Sequence, residues 1–236
     1  MYGYGYKINS SLVVGANSGG GFTNTYSLLF DGIDNRVDTD SIDLGLENTI
    51  SFWAKRDGTN FFGMVWGGVA QSNYFTIYFP SSNKLLYRVG GGSNTFSNSD
   101  IIAAIGGTDW FHCALVRNNS GADVLCYING ELKETKTNIV GSGNNTIVKN
   151  IGSRGPTPLD FEITGYLDEM SLFDSALSAS QISDIYNSGV PADLSSLSPL
   201  GWWRFEEGSG TTATDSGSGG NDGTLVNSPT YSTDIP

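Results

Sequence analysis

Positive charge is scarce in this chain. Twelve Lys and Arg stand against 24 Asp and Glu, with a single His, for a formal net charge of −12 over 236 residues. Such a surface repels phosphate backbones and anionic lipid, which argues against nucleic acid and membrane as partners. Charged residues of both signs amount to 15%, against about 25% in ordinary domains. Lys and Glu are too few for a coiled coil or a helical bundle, and no stretch approaches the ~20 apolar residues of a spanning helix. The N-terminus, Met1-Tyr2-Gly3-Tyr4-Gly5-Tyr6-Lys7-Ile8, lacks a basic segment followed by an apolar one, so no signal peptide is expected. Export would then use another route, such as lysis of a host.

Cysteine is also rare. Cys113 and Cys126 fall on what should be neighbouring strands. A disulfide there has demanding geometry, and small reduced core residues are the simpler reading. Neither has a Cys or His at zinc-site spacing. His112 is the sole imidazole, and no Gly-x-Ser-x-Gly or His-Glu-x-x-His motif accompanies it, so it reads as a structural strand histidine.

Glycine, by contrast, is abundant, with 32 residues, about twice the usual ~7%. Residues 1–25 are Gly-, Ser- and Asn-rich and read as an arm. From Tyr26 onward come short runs rich in Val, Ile, Tyr, Phe, Trp and Thr, bounded by turn residues. They cover 26–30, 49–55, 61–66, 74–79, 84–89, 110–117, 124–129, 146–151 and 161–173. That spacing is the signature of an antiparallel sandwich or barrel. Arg117-Asn118-Asn119-Ser120-Gly121-Ala122 reads as a hairpin loop, with Gly121 able to take positive φ. One short helix is expected over about 178–187. Ser178 and Gln181 form its capping box, Ile182, Ile185 and Tyr186 its apolar stripe, and Gly189 its stop. Residues 191–200 form a Pro/Ser/Leu connector. Gly201-Trp202-Trp203-Arg204-Phe205-Glu206 is a further strand, followed by a Gly/Ser loop in which Asp215, Asn221 and Asp222 recur.

Several of these motifs share one resemblance. Ser27-Leu28-Leu29-Phe30-Asp31-Gly32, Thr49-Ile50-Ser51-Phe52-Trp53-Ala54-Lys55, Trp110-Phe111-His112-Cys113-Ala114-Leu115-Val116-Arg117, Cys126-Tyr127-Ile128-Asn129-Gly130 and Gly165-Tyr166-Leu167-Asp168-Glu169-Met170 come in that order. Together they resemble the laminin-G-like jelly rolls of the concanavalin A-like lectin/glucanase superfamily, in the form found in structural proteins of tailed, especially marine, phages. The resemblance implies an all-β, two-sheet antiparallel jelly-roll sandwich over residues 26–236. The 203–224 stretch resembles a motif that usually opens such domains, as though the last strand were circularly permuted. The alternative is the start of a truncated second repeat. A permuted strand 203–206 is expected to pair beside the 26–30 region.

Three kinds of chemistry suit such a frame: carboxylate catalysis, calcium binding and glycan binding. Retaining glucanases need two carboxyls about 5–5.5 Å apart, which on a strand means positions i and i+2. Here Glu162 stands alone, and the adjacent Asp168 and Glu169 are expected on opposite faces, so no enzyme is expected. Calcium wants six to eight oxygens from Asp, Asn and carbonyls. Asp215, Asn221 and Asp222 are candidates, with help from Asp168 implied by the resemblance, and Asp31 and Asp34 in the Phe-Asp-Gly turn are further candidates. The alternative is that these residues form Asx turns. Glycan binding would use exposed rings, with Trp66, Tyr74 and Tyr78 as first candidates and Tyr87 and Trp110 behind them. The sequons at Asn9, Asn118 and Asn144 carry no weight outside a glycosylating pathway.

The reading that results is a non-enzymatic phage virion protein, a decoration, fibre or spike subunit, self-associating and contacting other virion proteins and host-surface glycans. Tyr2, Tyr4 and Tyr6 alternate strictly, which suits an arm adding a strand to a neighbouring subunit. Its expected location is the virion or the extracellular space. A secreted bacterial lectin module is the alternative, and a glycoside hydrolase the weakest.

Overall fold

A computed structural model of the chain describes residues 22–57, 63–67, 75–80, 84–153 and 162–236. Strands β1 (Ser27–Asp31), β2 (Arg36–Asp43), β3 (Asn48–Arg56), β4 (Gly63–Gly67), β5 (Thr76–Phe79), β6 (Leu85–Val89) and β7 (Gly92–Phe96) lead to helix α1 (Ser99–Gly106). Then come β8 (Phe111–Asn118), β9 (Asp123–Ile128), β10 (Glu131–Lys136), β11 (Ile147–Ile151) and β12 (Thr164–Phe173), followed by helix α2 (Ala179–Tyr186). The tail adds β13 (Gly201–Trp203), β14 (Thr212–Ala213), β15 (Gly223–Val226) and β16 (Thr230–Ser232).

Two antiparallel sheets result. The first runs β10-β9-β8-β3-β12-β1-β16, with β13 also on β12, and the second runs β14-β15-β2-β11-β4-β5-β6-β7. Leu28, Phe30, Phe52 and Met170 from the first sheet meet Val37, Trp66, Ile77 and Ile151 from the second in one buried core. The first sheet also has a covered outer face. There Ala114, Val116, Tyr127 and Trp202 pack under Ile182 and Ile185 of α2. Burial on both sides explains why β3 and β8 read as near-continuous apolar runs.

The expected hairpin forms, with Gly121 at φ +82° between β8 and β9. The capping box of α2 is present, Ser178 accepting from the Gln181 N–H. Its stop is not Gly189 but Asn187, which takes the left-handed conformation at φ +45°. Six strands escape a reading based on apolar alternation: the short β14, β15 and β16 of the tail, and β2, β7 and β10. β2 spends its outward positions on Asp, β7 is Gly-Ser-Asn-Thr-Phe, and β10 is a polar sheet edge. Helix α1 joins the expected one. Asn98 caps it by accepting the Asp100 N–H, and Ile101 and Ile105 bury one stripe.

The tail is part of the sandwich. Ten-residue β12 is paired along one edge by β3 and on the other by β1 over 164–167. β13 takes up the rest, with Met170 opposite Trp203 and Leu172 opposite Gly201. The 201–203 strand therefore lies in line with β1 rather than alongside it, and Arg204 to Glu206 are outside it. The strand beside β1 is β16, with Leu28 opposite Tyr231.

Candidate functional site

The Asp215 loop is ordered by its own side chains. Asp215 Oδ1 accepts the N–H groups of Trp202 and Gly217, and Oδ2 accepts that of Asn221, each at 2.7 Å. Asp222 Oδ1 accepts the Asp215 N–H at 2.8 Å, and the Asn221 carbonyl accepts the Trp203 indole. Asp31 Oδ1 accepts the N–H of Ile33 within its own turn. Among the described residues no group of three or more His, Cys, Asp or Glu is placed to hold a metal ion. The six expected calcium donors are divided, with Asp215, Asn221 and Asp222 in one loop, Asp31 and Asp34 in the turn after β1, and Asp168 on β12. Asp215, Asp222 and Asp31 form turns, and Asp168 is committed elsewhere.

Asp168 and Glu169 do not split across the sheet. Between them and Ser171 the pairing with β3 slips by one residue, and Glu169 sits at φ +48°. This bulge keeps both Leu167 and Met170 in the inter-sheet core, so the two carboxylates between them share the outer face. Asp168 accepts from Asn24 Nδ2 at 2.9 Å and from the Glu169 N–H. Glu169 accepts from Trp202 Nε1 at 2.5 Å and pairs with Arg204 at 3.4 Å. Burial pushes Glu169 up to about 7, against the pull of Arg204 and Trp202. Burial and the Glu169 charge push Asp168 well above the carboxylate range. Residues 22–26 strap this cluster. Phe22 stacks on Trp202, the Arg204 guanidinium lies 4.4 Å over Phe22, and Glu206 accepts the N–H groups of Thr25 and Tyr26. The end of the expected arm is therefore docked on the domain.

The expected glycan platforms among the described residues are core or covered. Trp66 is fully buried and meets Trp203 edge-on at 5.7 Å, so its ring cannot face a sugar. Tyr78 alternates with the core residues Ile77 and Phe79, which puts it on the outer face of the second sheet, but it is only 6% exposed. Tyr87 is core, and the Trp110 indole is held by Asp234. Tyr74, Tyr2, Tyr4 and Tyr6 lie outside the described residues. Cys113 and Cys126 are free and buried. His112 is fully buried, its Nε2 is 2.7 Å from Ser51 Oγ, and desolvation lowers its pKa to about 3.

An open cleft of about 450 Å³ lies where α1, the β9–β10 turn and the end of α2 meet. Asp100, Ala103 and Ala104 form one wall, Ile128, Asn129, Glu131 and Lys133 another, and Tyr186 the third. Asn129 and Gly130 form the turn in left-handed conformations, at φ +50° and +77°. A Cβ on Gly130 would stand 2.9 Å from the Tyr186 ring, so only glycine lets the turn lie against it. Trp53 stacks on Tyr186 at 5.7 Å, with His112 beside it at 6.1 Å. Lys133 Nζ bridges Glu131 at 2.7 Å and Asp100 at 3.1 Å. Glu134 accepts the N–H groups of Ser97 and Asn98, and Asn98 Nδ2 donates to the Lys133 carbonyl, which ties the α1 wall to β10. Sequence reasoning missed this site because its polar residues sit on a turn and an edge strand. The Tyr-Ile-Asn-Gly turn was the one visible signal.

Residues 31–183 match the family described as the concanavalin A-like lectin/glucanases superfamily, in a laminin-G form. No curated protein sequence matches the chain. Among solved structures, a candidate carbohydrate-binding protein from Bacteroides ovatus aligns over 91% of this chain and 61% of its own, at 14% identity and TM-score 0.67. The heptameric SAP-like pentraxin of Limulus polyphemus aligns over 69% and 82%, at 18% identity and TM-score 0.54. Domain 4 of an extracellular arabinanase from Geobacillus stearothermophilus, solved with arabinotriose, aligns over 68% and 76%, at 19% identity and TM-score 0.53. At these identities the likeness is one of fold.

Proposed function

The chain belongs to the concanavalin A-like lectin/glucanases superfamily, and on that premise we propose that it is a non-catalytic glycan-recognition module of a phage virion. The cleft beside Tyr186 carries the recognition half. Its volume falls in the range of ligand sites, and it joins one aromatic side chain to an amide, two carboxylates and an ammonium. A soluble ligand as small as arabinotriose, which the arabinanase domain holds on the same fold, is of suitable size.

The non-catalytic half rests on where the carboxylates are. The cleft's own carboxylates, Asp100 and Glu131, are both paired with Lys133, and Asp168 and Glu169, adjacent on β12, are buried and committed to Asn24, Trp202 and Arg204. A general acid must reach the glycosidic oxygen within hydrogen-bond distance, and the buried pair does not reach solvent. The virion half rests on the resemblance of the ordered motifs to phage structural proteins and on the acidic surface. Self-association through Tyr2, Tyr4 and Tyr6 belongs to the same proposal. A glycan array, read together with reducing-sugar release from the bound glycans, tests the reading. Binding without hydrolysis is expected, whereas turnover of a bound glycan or an empty array contradicts it.

A further inference from the structure

We infer that the cleft between α1, the β9–β10 turn and Tyr186 binds one neutral sugar residue through a vicinal diol, with Asn129 as the donor that reads it. This rests on the glycan-recognition reading and names the site and ligand class within it.

The amide of Asn129 is oriented by its neighbour. His112 N–H is a donor, so the atom 2.9 Å from it must be the Asn129 oxygen. That leaves Nδ2, with two protons and no partner among the described residues, at the cleft wall. Lys133 Nζ lies 3.1 Å from Asp100 Oδ2 and 2.7 Å from Glu131 Oε2. Asp100 Oδ1 and Glu131 Oε1 remain as acceptors. The cleft therefore offers donors and acceptors side by side. Adjacent hydroxyls, each of which donates and accepts, are the group that satisfies both at once. The half-buried Tyr186 ring, held by Trp53, supplies an apolar surface for the sugar's C–H face.

The same groups select against charge. The single ammonium is already shared between two carboxylates, so a uronate or sialate carboxylate would face Asp100 and Glu131 without a free cation. The chain's net charge of −12 adds to that repulsion. The walls are pre-set by the bonds from β10 to the start of α1, so little ordering is required on binding.

Asn129→Asp tests the assignment, because it keeps the oxygen that accepts from His112 and removes only the donor. Asp also tolerates the left-handed turn conformation. The probes are arabinotriose and the methyl glycosides of glucose, galactose, mannose, xylose and arabinose, with methyl glucuronide as the anionic control. They are titrated at millimolar concentration into the full chain by NMR. At least one neutral probe should shift the Tyr186 ring signals, bind more tightly than the glucuronide, and lose tenfold or more in affinity in Asn129→Asp at an unchanged melting midpoint. A neutral probe that binds wild type and Asn129→Asp equally, leaving Tyr186 unmoved, overturns the cleft assignment while glycan recognition stands. Preference for the glucuronide overturns the charge selection. No binding of any probe overturns both this inference and the reading it rests on.

Discussion

At Glu169 one backbone angle decides the fate of two carboxylates. The left-handed bulge turns Asp168 and Glu169 onto the same face, and Trp202, Arg204 and the Phe22–Tyr26 strap close over them. The sign of the resulting pH effect follows from which state holds the proton. Glu169 rises from 4.5 unfolded to about 7 folded. Between those values the unfolded chain has lost a proton that the folded chain keeps, so stability falls as pH rises through the window. His112 acts oppositely, contributing stability that is lost as pH drops from 6.5 towards about 3. Urea unfolding from pH 4.5 to 8 should show a Glu169 contribution on the order of 2–3 kcal/mol. Glu169→Gln should flatten that slope, and an equal slope in the variant would contradict the assignment. Asp215 invites a second test. Asp215→Ala strands the N–H groups of Trp202, Gly217 and Asn221, at a cost of about 1–3 kcal/mol for each that stays buried. EDTA should leave the wild-type melting midpoint unchanged. A midpoint lowered by chelator would restore the calcium expectation. At this scale the capping box of α2 was legible because its partners, Ser178 and Gln181, lie three residues apart. The bulge was not, because nothing local marks Glu169 for a left-handed angle.

Among the elements, the tail contributes strands to both sheets. β13 and β16 complete the first sheet beside β12 and β1, while β14 and β15 extend the second beside β2. Trp203 and Phe205 are fully buried in the shared core. Deleting residues 200–236 should therefore uncover the edges of β1, β12 and β2 together with core apolar surface, and produce aggregation. A truncated chain that stayed monomeric in sedimentation, with an unchanged melting midpoint, would show the tail to be an appendage. β3, β8 and β12 were readable as strands because burial on both faces makes them apolar throughout. β10 was not, because an edge strand is protected by its Glu and Lys and carries no apolar period.

For the whole molecule, the sandwich is built from two open sheets, and a net charge of −12 opposes non-specific association of copies. The arm is the proposed contact. Residues 22–26 dock on the first sheet's outer face. Removing residues 1–8 should weaken self-association in sedimentation velocity while leaving the melting midpoint in place. Full self-association by the shortened chain would contradict the role given to Tyr2, Tyr4 and Tyr6.

What composition and local pattern determined by themselves was the class. Turn-bounded runs of β-branched and aromatic residues, too little Lys and Glu for helices, and motifs in the right order allow little besides a two-sheet sandwich. Those signals are local, since each strand or cap is encoded within a few residues. Only the tertiary structure decided which side chains meet solvent. Trp66 and Tyr78 were plausible platforms until register and packing covered them. The cleft, in turn, draws Asp100, Asn129, Lys133 and Tyr186 from three elements whose meeting no sequence spacing announces. Burial and convergence are properties of pairs far apart in the chain, and they come into being only when the sheets close.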